Sequence, residues 1–581
     1  MKFFSTVRVI QPECRAANRI PLFSYERDRH ALTFCAKKVR PPVCAAVFAV
    51  GRFLYKDCPL TENSLLDLST DEKIRNFAND VSGYGFLLVY KPWSALICIT
   101  DKTGLLSPCY VRKGHHYHID YDAQVLANAT VGALDDCSMT EFLATGRITA
   151  PHTIWQHVYS LNHASIVQFD SCLSSAFYWE PRLMPPLNAD DFAAALAEEI
   201  ERFISMLSRI YKRCSLLLSG GLDARAFLPA LSAGGKGMAF NTGAGYNERS
   251  ASEQLIAEQL ARHYGIPLVK LDRRLHDWSQ IFRCAPQVLS PGYDYRHACM
   301  LAHSCIGREP GTIVLSGCFA DHFFKMKSCY RNNMSFSQNI FEWFGKCYAL
   351  MPANRHKDEI DARRQRYLQT AGISHFDLSN REDLALACMK RTLPLSRLRT
   401  YALRDHLIRC STPMFPFAHN LFLDLWQHSW QLKFSCPTDA WIMMLAKTDP
   451  DLLAIRNANT NKPIKLSGRE GGLKCRWMRG LTNVVRNSSA GRRLSDFRTR
   501  IQGHKALSGW DDLAYLTENG EKSLSDALEL PVHERVSRLM LHGIVCDKAG
   551  WSAICQSREI SLSQSLFHDS VSGIASRAHV Q

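Results

Sequence analysis

The segment Ser219-Gly220-Gly221-Leu222-Asp223 carries the residue types that most directly suggest chemistry. A short apolar run, Ser215 to Leu218, precedes it, and a helical pattern follows from Ala224 to about Leu231. Two glycines let the backbone approach an anion closely, a helix start offers unpaired N–H groups, and Ser219 adds a hydroxyl donor. Asp223 is the odd member, because a carboxylate beside a phosphate is repulsive unless a divalent cation lies between them. The loop therefore points to a Mg2+-bound pyrophosphate group rather than a free anion. It is not a Walker loop, and none occurs in the sequence. A second acidic turn, Ser316-Gly317-Cys318-Phe319-Ala320-Asp321, follows the strand-like run Thr312 to Leu315. Each Asp alone is more often a helix cap, and only the pair together favours a shared metal.

These turns need a scaffold that brings them together. Asn188-Ala-Asp-Asp precedes a helical pattern with Phe192, Leu196, Ile200, Phe203, Ile204 and Leu207 on one face, and Asn188 or Asp190 is the expected N-cap. Strand-like runs at Ser215 to Leu218, Met238 to Asn241, Pro267 to Leu271 and Thr312 to Leu315 alternate with helical patterns, as in a doubly wound parallel α/β sheet. Ligands of such sheets bind at the strand C-termini, so Asp223 and Asp321 are expected to converge on one metal. The first 185 or so residues differ in texture. Tyr84 to Tyr90 and Ser94 to Thr100 suggest a hairpin, and the turn Asp101-Lys102-Thr103-Gly104 leads into an extended run from Leu105 to Val111. Pro181, Pro185 and Pro186 mark a linker. Beyond about residue 330 the pattern is mainly helical, as in Arg381 to Lys390 and Ala418 to Gln431.

LLLSGGLD at 216–223, then Phe240-Asn241-Thr242-Gly243, then Glu253, Ala257, Ala261 and Gly265, and finally Ser316-Gly317 with Ala320-Asp321, resemble the asparagine-synthetase-type amide ligases. Gly83 to Tyr90, Asp101, Gly104, Pro108, Tyr110 and Tyr178-Trp179 are similar to the N-terminal nucleophile (glutaminase-type) domain of that family. The resemblance spans roughly residues 40 to 465. It implies three parts: a degenerate glutaminase-like β-rich sandwich over 1–185, an ATP-pyrophosphatase synthetase domain over 186–468, and a basic helical extension over 469–581. Position by position, it implies that Ser219, Gly220, Gly221, Leu222 and Asp223 hold pyrophosphate and Mg2+, with Asp321 as second carboxylate on the metal. Leu218, Thr242, Ser316 and Gly317 would line the adenosine. Lys462 matches a late lysine that stabilises charge on an acyl-adenylate, with Lys447 and Lys465 as rivals, and Glu253 either touches the site or stabilises its helix.

The departures narrow this resemblance. Glutamine-dependent members carry a cysteine directly after the initiator Met, where this chain has Lys2. Cys318 stands where asparagine synthetases have a glutamate that helps adenylation, His322 replaces a further glutamate, and Ala224 replaces a serine. Members without the glutaminase cysteine are chiefly β-lactam synthetases and lasso-peptide macrolactam synthetases, and this chain looks more like the latter. The implied activity is ATP- and Mg2+-dependent closure of an isopeptide ring. An Asp or Glu side chain of a leaderless precursor peptide is adenylated and then attacked by the peptide's own N-terminal amine. A leader peptidase is the implied partner protein. The competing readings are a β-lactam synthetase, a tRNA-modifying ATP pyrophosphatase, and a scaffold that has lost its chemistry.

Composition bears on these readings. Seventy Lys+Arg against 55 Asp+Glu give a net charge of +15, concentrated in part between Arg469 and Lys505. Only Trp477 and Phe497 interrupt that stretch, too few aromatics for a base-stacking platform, so nucleic acid is not expected as a partner. The 21 cysteines are odd in number and contain no C-x-x-C pair, which suits reduced thiols in a cytoplasmic protein. No apolar run near the start reaches the roughly 18 residues of a membrane span. His115, His116 and His118 invite a metal reading, with a surface hairpin as the plainer one, and Tyr293 to His297 reads first as a packed loop and second as the lining of a substrate pocket.

Overall fold

The computed structural model describes residues 6–10, 23–26, 31–34, 46–60, 68, 70–90, 96–130, 133, 135–138, 141, 148–170, 172–235, 237–241, 248–270, 311–325, 356–377, 379–390, 392, 413–434, 437–458 and 461–465. Thr242, Tyr293 to His297 and the basic stretch Arg469 to Lys505 lie outside them.

The amino-terminal part is built from two sheets. One runs in the order Thr6–Ile10, Ala46–Tyr55, Val81–Tyr90, Leu96–Thr100, Ser165–Phe169, Leu173–Phe177, with Cys58–Pro59 added beside Ala46–Tyr55. Its pairings are antiparallel except that between Thr6–Ile10 and Ala46–Tyr55. The second has the order Tyr159–Ser160, Cys109–Lys113, His116–Asp120, Phe23–Glu26, Ala31–Phe34. Side chains alternate between faces along a strand. Phe48, Val50, Phe86, Leu88, Cys98, Val167 and Phe169 accordingly share a core with Tyr117 and Ile119 of the second sheet. Val47, Ala49, Leu87, Val89, Ile97 and Ile99 pack on the opposite face with Ile74, Phe77 and Ala78 of the helix Asp71–Asp80.

The expected hairpin is present, with Tyr90 opposite Leu96. Its following turn is organised by the buried Asp101. The Asp101 carboxylate accepts from the backbone N–H of Gly85 (2.9 Å), Thr103 (3.0 Å), Leu105 (3.0 Å) and Leu106 (3.2 Å), and from the Thr103 hydroxyl (2.9 Å). Those bonds occupy the amides of Leu105 and Leu106, so the next strand begins only at Cys109.

The second part opens with the helix Ala189–Ile210, capped by Asn188, whose side chain accepts from the Asp191 N–H at 2.9 Å. Phe192, Leu196, Ile200, Phe203, Ile204 and Leu207 are its buried face. Beside it lies a five-stranded, wholly parallel sheet in the order Leu268–Lys270, Gly237–Asn241, Arg213–Leu217, Thr312–Leu315, Pro413–Met414. The chain therefore winds outward in one direction from Arg213–Leu217, then returns to that strand's other side with Thr312–Leu315. This reversal creates a crevice beyond the C-termini of two adjacent strands. The single helix expected from Ala224 to about Leu231 is instead two, Leu222–Arg225 and Leu228–Ala233. Pro229 lies in the first turn of the second, where its missing N–H costs nothing, whereas in a continuous helix it would break the ladder. Asn420–His428 is likewise shorter than the pattern from Ala418 to Gln431.

The two parts are joined by polar contacts. Lys102 Nζ donates to Asn420 Oδ1 at 2.7 Å, Asn420 Nδ2 donates to the Asn79 carbonyl at 3.0 Å, and Arg52 donates to the Tyr211 hydroxyl at 3.1 Å. Among the described residues no helix is long and apolar enough to cross a membrane.

Candidate active site

The crevice between Arg213–Leu217 and Thr312–Leu315 is where the two acidic loops meet. Leu218 is buried and donates its N–H to the Phe240 carbonyl at 2.9 Å, extending the sheet up to the loop. A Cβ on Gly220 would lie 2.8 Å from Ala458 Cβ and 3.1 Å from Ile256 Cβ, so only glycine fits there. Gly221 caps Leu222–Arg225 in an extended conformation, its N–H donating to Ser219 Oγ at 3.3 Å.

Arg225 braces the loop from behind. Its fully buried guanidinium donates to the carbonyls of Gly220 (3.1 Å), Gly221 (3.3 Å), Leu452 (2.8 Å), Ile455 (2.9 Å) and Arg456 (2.8 Å). The Ala458 N–H donates to the Gly220 carbonyl at 3.1 Å from the same late segment. Burial pulls the Arg225 guanidinium down to about 10, still cationic near neutrality. Trp441, also fully buried, donates its indole N–H to the Leu222 carbonyl at 3.3 Å.

The second loop approaches so closely that a Cβ on Gly317 would lie 3.0 Å from Asp223 Cβ. Phe319 takes a positive φ of 78°, held by burial against Phe323 and Phe415. That left-handed turn aims the chain into the π-helical turn Asp321–Lys325. Lys325 Nζ is 2.9 Å from Asp321 Oδ1 and is also bonded to Asp223 Oδ1. Burial pulls its ammonium down to about 7, whereas two carboxylates in direct contact favour the charged form. The paired carboxylates hold Lys325 as a cation.

Ser219, Gly221, Leu222, Asp223, Glu253, Asp321, Lys325, Thr438 and Ala458 line a cavity of about 340 Å3. A larger groove of about 560 Å3 elsewhere is lined by Arg75, Glu180, Arg182, Glu382, Asp383 and Lys390 together with apolar residues, and holds no comparable convergence of loops. The donor set of the smaller cavity fits a divalent cation. Both carboxylates already share one positive centre, the Lys325 ammonium, which shows that a single cation can reach both.

Several expected site residues fall elsewhere. Cys318 receives the Ser316 hydroxyl proton on Sγ at 3.0 Å, does not line the cavity, and has its thiol pushed up to about 11, first by burial. A neutral thiol there supplies no general base. Lys447 is exposed and pairs with Asp190 at 3.2 Å. Lys462 and Lys465 are exposed and do not line the cavity, although the Lys462 carbonyl accepts from the Asn457 N–H at 2.9 Å beside Ala458. The lysine inside the cavity is Lys325, which sequence reasoning missed. Its position four residues after Asp321 was the available signal. Arg225 gave none, because nothing in a sequence marks an arginine as buried.

His116 and His118 stack at 6.4 Å, and the Asp120 carboxylate accepts from the Asp122 N–H at 2.9 Å. Burial, then His116 and Lys113, hold the His118 imidazole below its usual range. The grouping of three metal-type side chains found among the described residues is instead His263, Asp449 and Asp451, where His263 and Tyr264 already contact Asp449.

No protein-family model and no curated protein matches the sequence. Among solved structures, the chain is similar to that of NMN synthetase from Francisella tularensis. The match has 13% identity and a TM-score of 0.20, covering 38% of this chain and 96% of the other. That score is too low to establish a common fold.

Proposed function

We propose that the chain is an AMP-forming, ATP-dependent carboxylate–amine ligase that closes a macrolactam ring in a leaderless precursor peptide. One observation carries the proposal: Asp223 and Asp321, from loops on two adjacent strand ends, share one cation in a cavity lined by Ser219 and Gly221. Carboxylates brought together beside a glycine-rich turn suit a polyphosphate accompanied by Mg2+, which neutralises the phosphate charge when bound. The finer assignment rests on the sequence motifs. In this reading the amine comes from the peptide substrate rather than from glutamine.

In the proposed reaction a peptide Asp or Glu side-chain carboxylate attacks the α-phosphorus of ATP and pyrophosphate leaves. The peptide's N-terminal amine then attacks the resulting acyl-AMP, loses a proton and displaces AMP. A pre-folded peptide holds the two ends together, and this proximity lowers the need for a strong base. That is consistent with a neutral thiol at Cys318. The leader peptidase would act upstream, exposing the attacking amine.

The test is incubation with Mg2+-ATP and leaderless candidate peptides, following peptide mass and AMP. Loss of one water with stoichiometric AMP supports the ligase. AMP released only with tRNA would transfer the site to nucleic-acid modification. No ATP turnover with any of these, in a protein indistinguishable from its Asp223→Ala variant, removes both enzyme readings.

A further inference from the structure

We propose that Lys325 is a further binding residue of the cavity and that it exchanges partners. It holds Asp223 and Asp321 when no polyphosphate is present, and turns to phosphate oxygens when a divalent cation takes the two carboxylates. The proposal rests on reading the cavity as a site for metal-accompanied polyphosphate.

Three observations support it. First, the ammonium contacts both carboxylates, so it and a divalent cation compete for the same oxygens and repel each other. Second, the displaced ammonium has little access to solvent. The Lys325 side chain is 10% exposed, and its Nζ lies 5.3 Å from the centre of the Trp441 ring, which is itself fixed by its bond to Leu222. Third, Lys325 is the lysine among the cavity-lining residues, while Lys447 is engaged with Asp190 at 3.2 Å. The negative charge that enters with a polyphosphate is therefore the natural new partner. A lysine suits this exchange, being a compact point charge on a flexible four-carbon stem. The Trp441 face stabilises the cation in either position.

The exchange predicts effects of opposite sign in one variant. Lys325→Met removes the competitor, so Mn2+ alone, followed by electron paramagnetic resonance, should bind roughly tenfold more tightly than to the parent. The same variant lacks the phosphate partner, so Mg2+-pyrophosphate, followed by calorimetry, should bind roughly tenfold more weakly. Lys325→Arg keeps the charge and should stay nearer the parent in both. Only binding abolished by Asp223→Asn is counted, which excludes metal held at His263, Asp449 and Asp451. A merely structural lysine would weaken both affinities, and tighter Mn2+ binding cannot arise from a protein that has failed to fold. Equal or weaker Mn2+ binding by Lys325→Met, or unchanged Mg2+-pyrophosphate binding, overturns the exchange. If neither probe binds the parent or Lys325→Met in an Asp223-dependent way, the reading of the cavity itself fails. If both bind and only the signs disagree, the lysine proposal alone fails.

Discussion

Replacing Arg225 with methionine should damage the chain more than any surface change. The side chain is fully buried and donates five hydrogen bonds, all to backbone carbonyls, from Gly220 and Gly221 on one side and from Leu452, Ile455 and Arg456 on the other. Methionine fills part of the volume but removes all five donors, leaving the Gly220 carbonyl with the Ala458 N–H. A hydrogen bond to a charged group is worth about 1.5–3 kcal/mol, yet bonds within one network do not add, so the expected loss is about 4 kcal/mol. Lysine, with three donors in place of the guanidinium fork, should recover about half of it, roughly 2 kcal/mol. Urea unfolding of the three proteins reads the energy. Amide exchange at Ala458, whose N–H bonds the Gly220 carbonyl at 3.1 Å, reads whether the glycine loop loosens locally. An Arg225→Met protein within about 1 kcal/mol of the parent, with Ala458 exchange unchanged, would refute the claim that this residue ties the loop to the late segment.

Other sites give sharper single readouts. Gly220→Ala forces a Cβ to within 2.8 Å of Ala458 Cβ, so it should lower stability by about 2 kcal/mol in urea unfolding and weaken pyrophosphate binding. Cys318, with its thiol pushed up to about 11 by burial, should alkylate with iodoacetamide at pH 8 at least about tenfold more slowly than exposed Cys58, as peptide mass analysis would show. Burial raises the Asp135 carboxyl, but its bonds from Arg363 and Ser138 outweigh this and leave it below its ordinary 3.8. That stabilisation is present above the unfolded value and is lost as pH falls through the lower folded one. The melting-temperature gap between the parent and Asp135→Asn should therefore be open at pH 6 and narrow as the pH is taken below about 3.8.

The parts of the site that repeat a local rule were legible in advance. The five-residue loop, the acidic turn after Thr312–Leu315, the Asn188 cap and the buried stripe of Ala189–Ile210 all follow from glycine, capping and periodicity. So does the hairpin pairing Tyr90 with Leu96. What escaped depended on partners distant in sequence. Arg225 looks like an ordinary helix arginine until residues more than two hundred positions away supply its carbonyls. A family resemblance points to a late lysine, whereas the geometry places Lys325 in the cavity and leaves Lys462 outside it. Hydropathy starts the strand after Asp101 at Leu105, because it does not reveal that the turn takes the amides of Leu105 and Leu106.

The bracing of the glycine loop by the segment from Leu452 to Ala458 also sets an order of assembly. Gly220 and its neighbours are made early, but the late carbonyls that Arg225 needs lie 227 to 231 residues further on. Closing a connection of that length is entropically costly and waits for the intervening elements to fold. Until Leu452 emerges, Arg225 is a cation with two of its five carbonyl partners, and the glycine loop has no rear wall. The amino-terminal sandwich can fold early on the ribosome. The cavity is completed only after the late segment docks, so a chain interrupted before residue 452 keeps the acidic loops but lacks the frame that holds the first of them open.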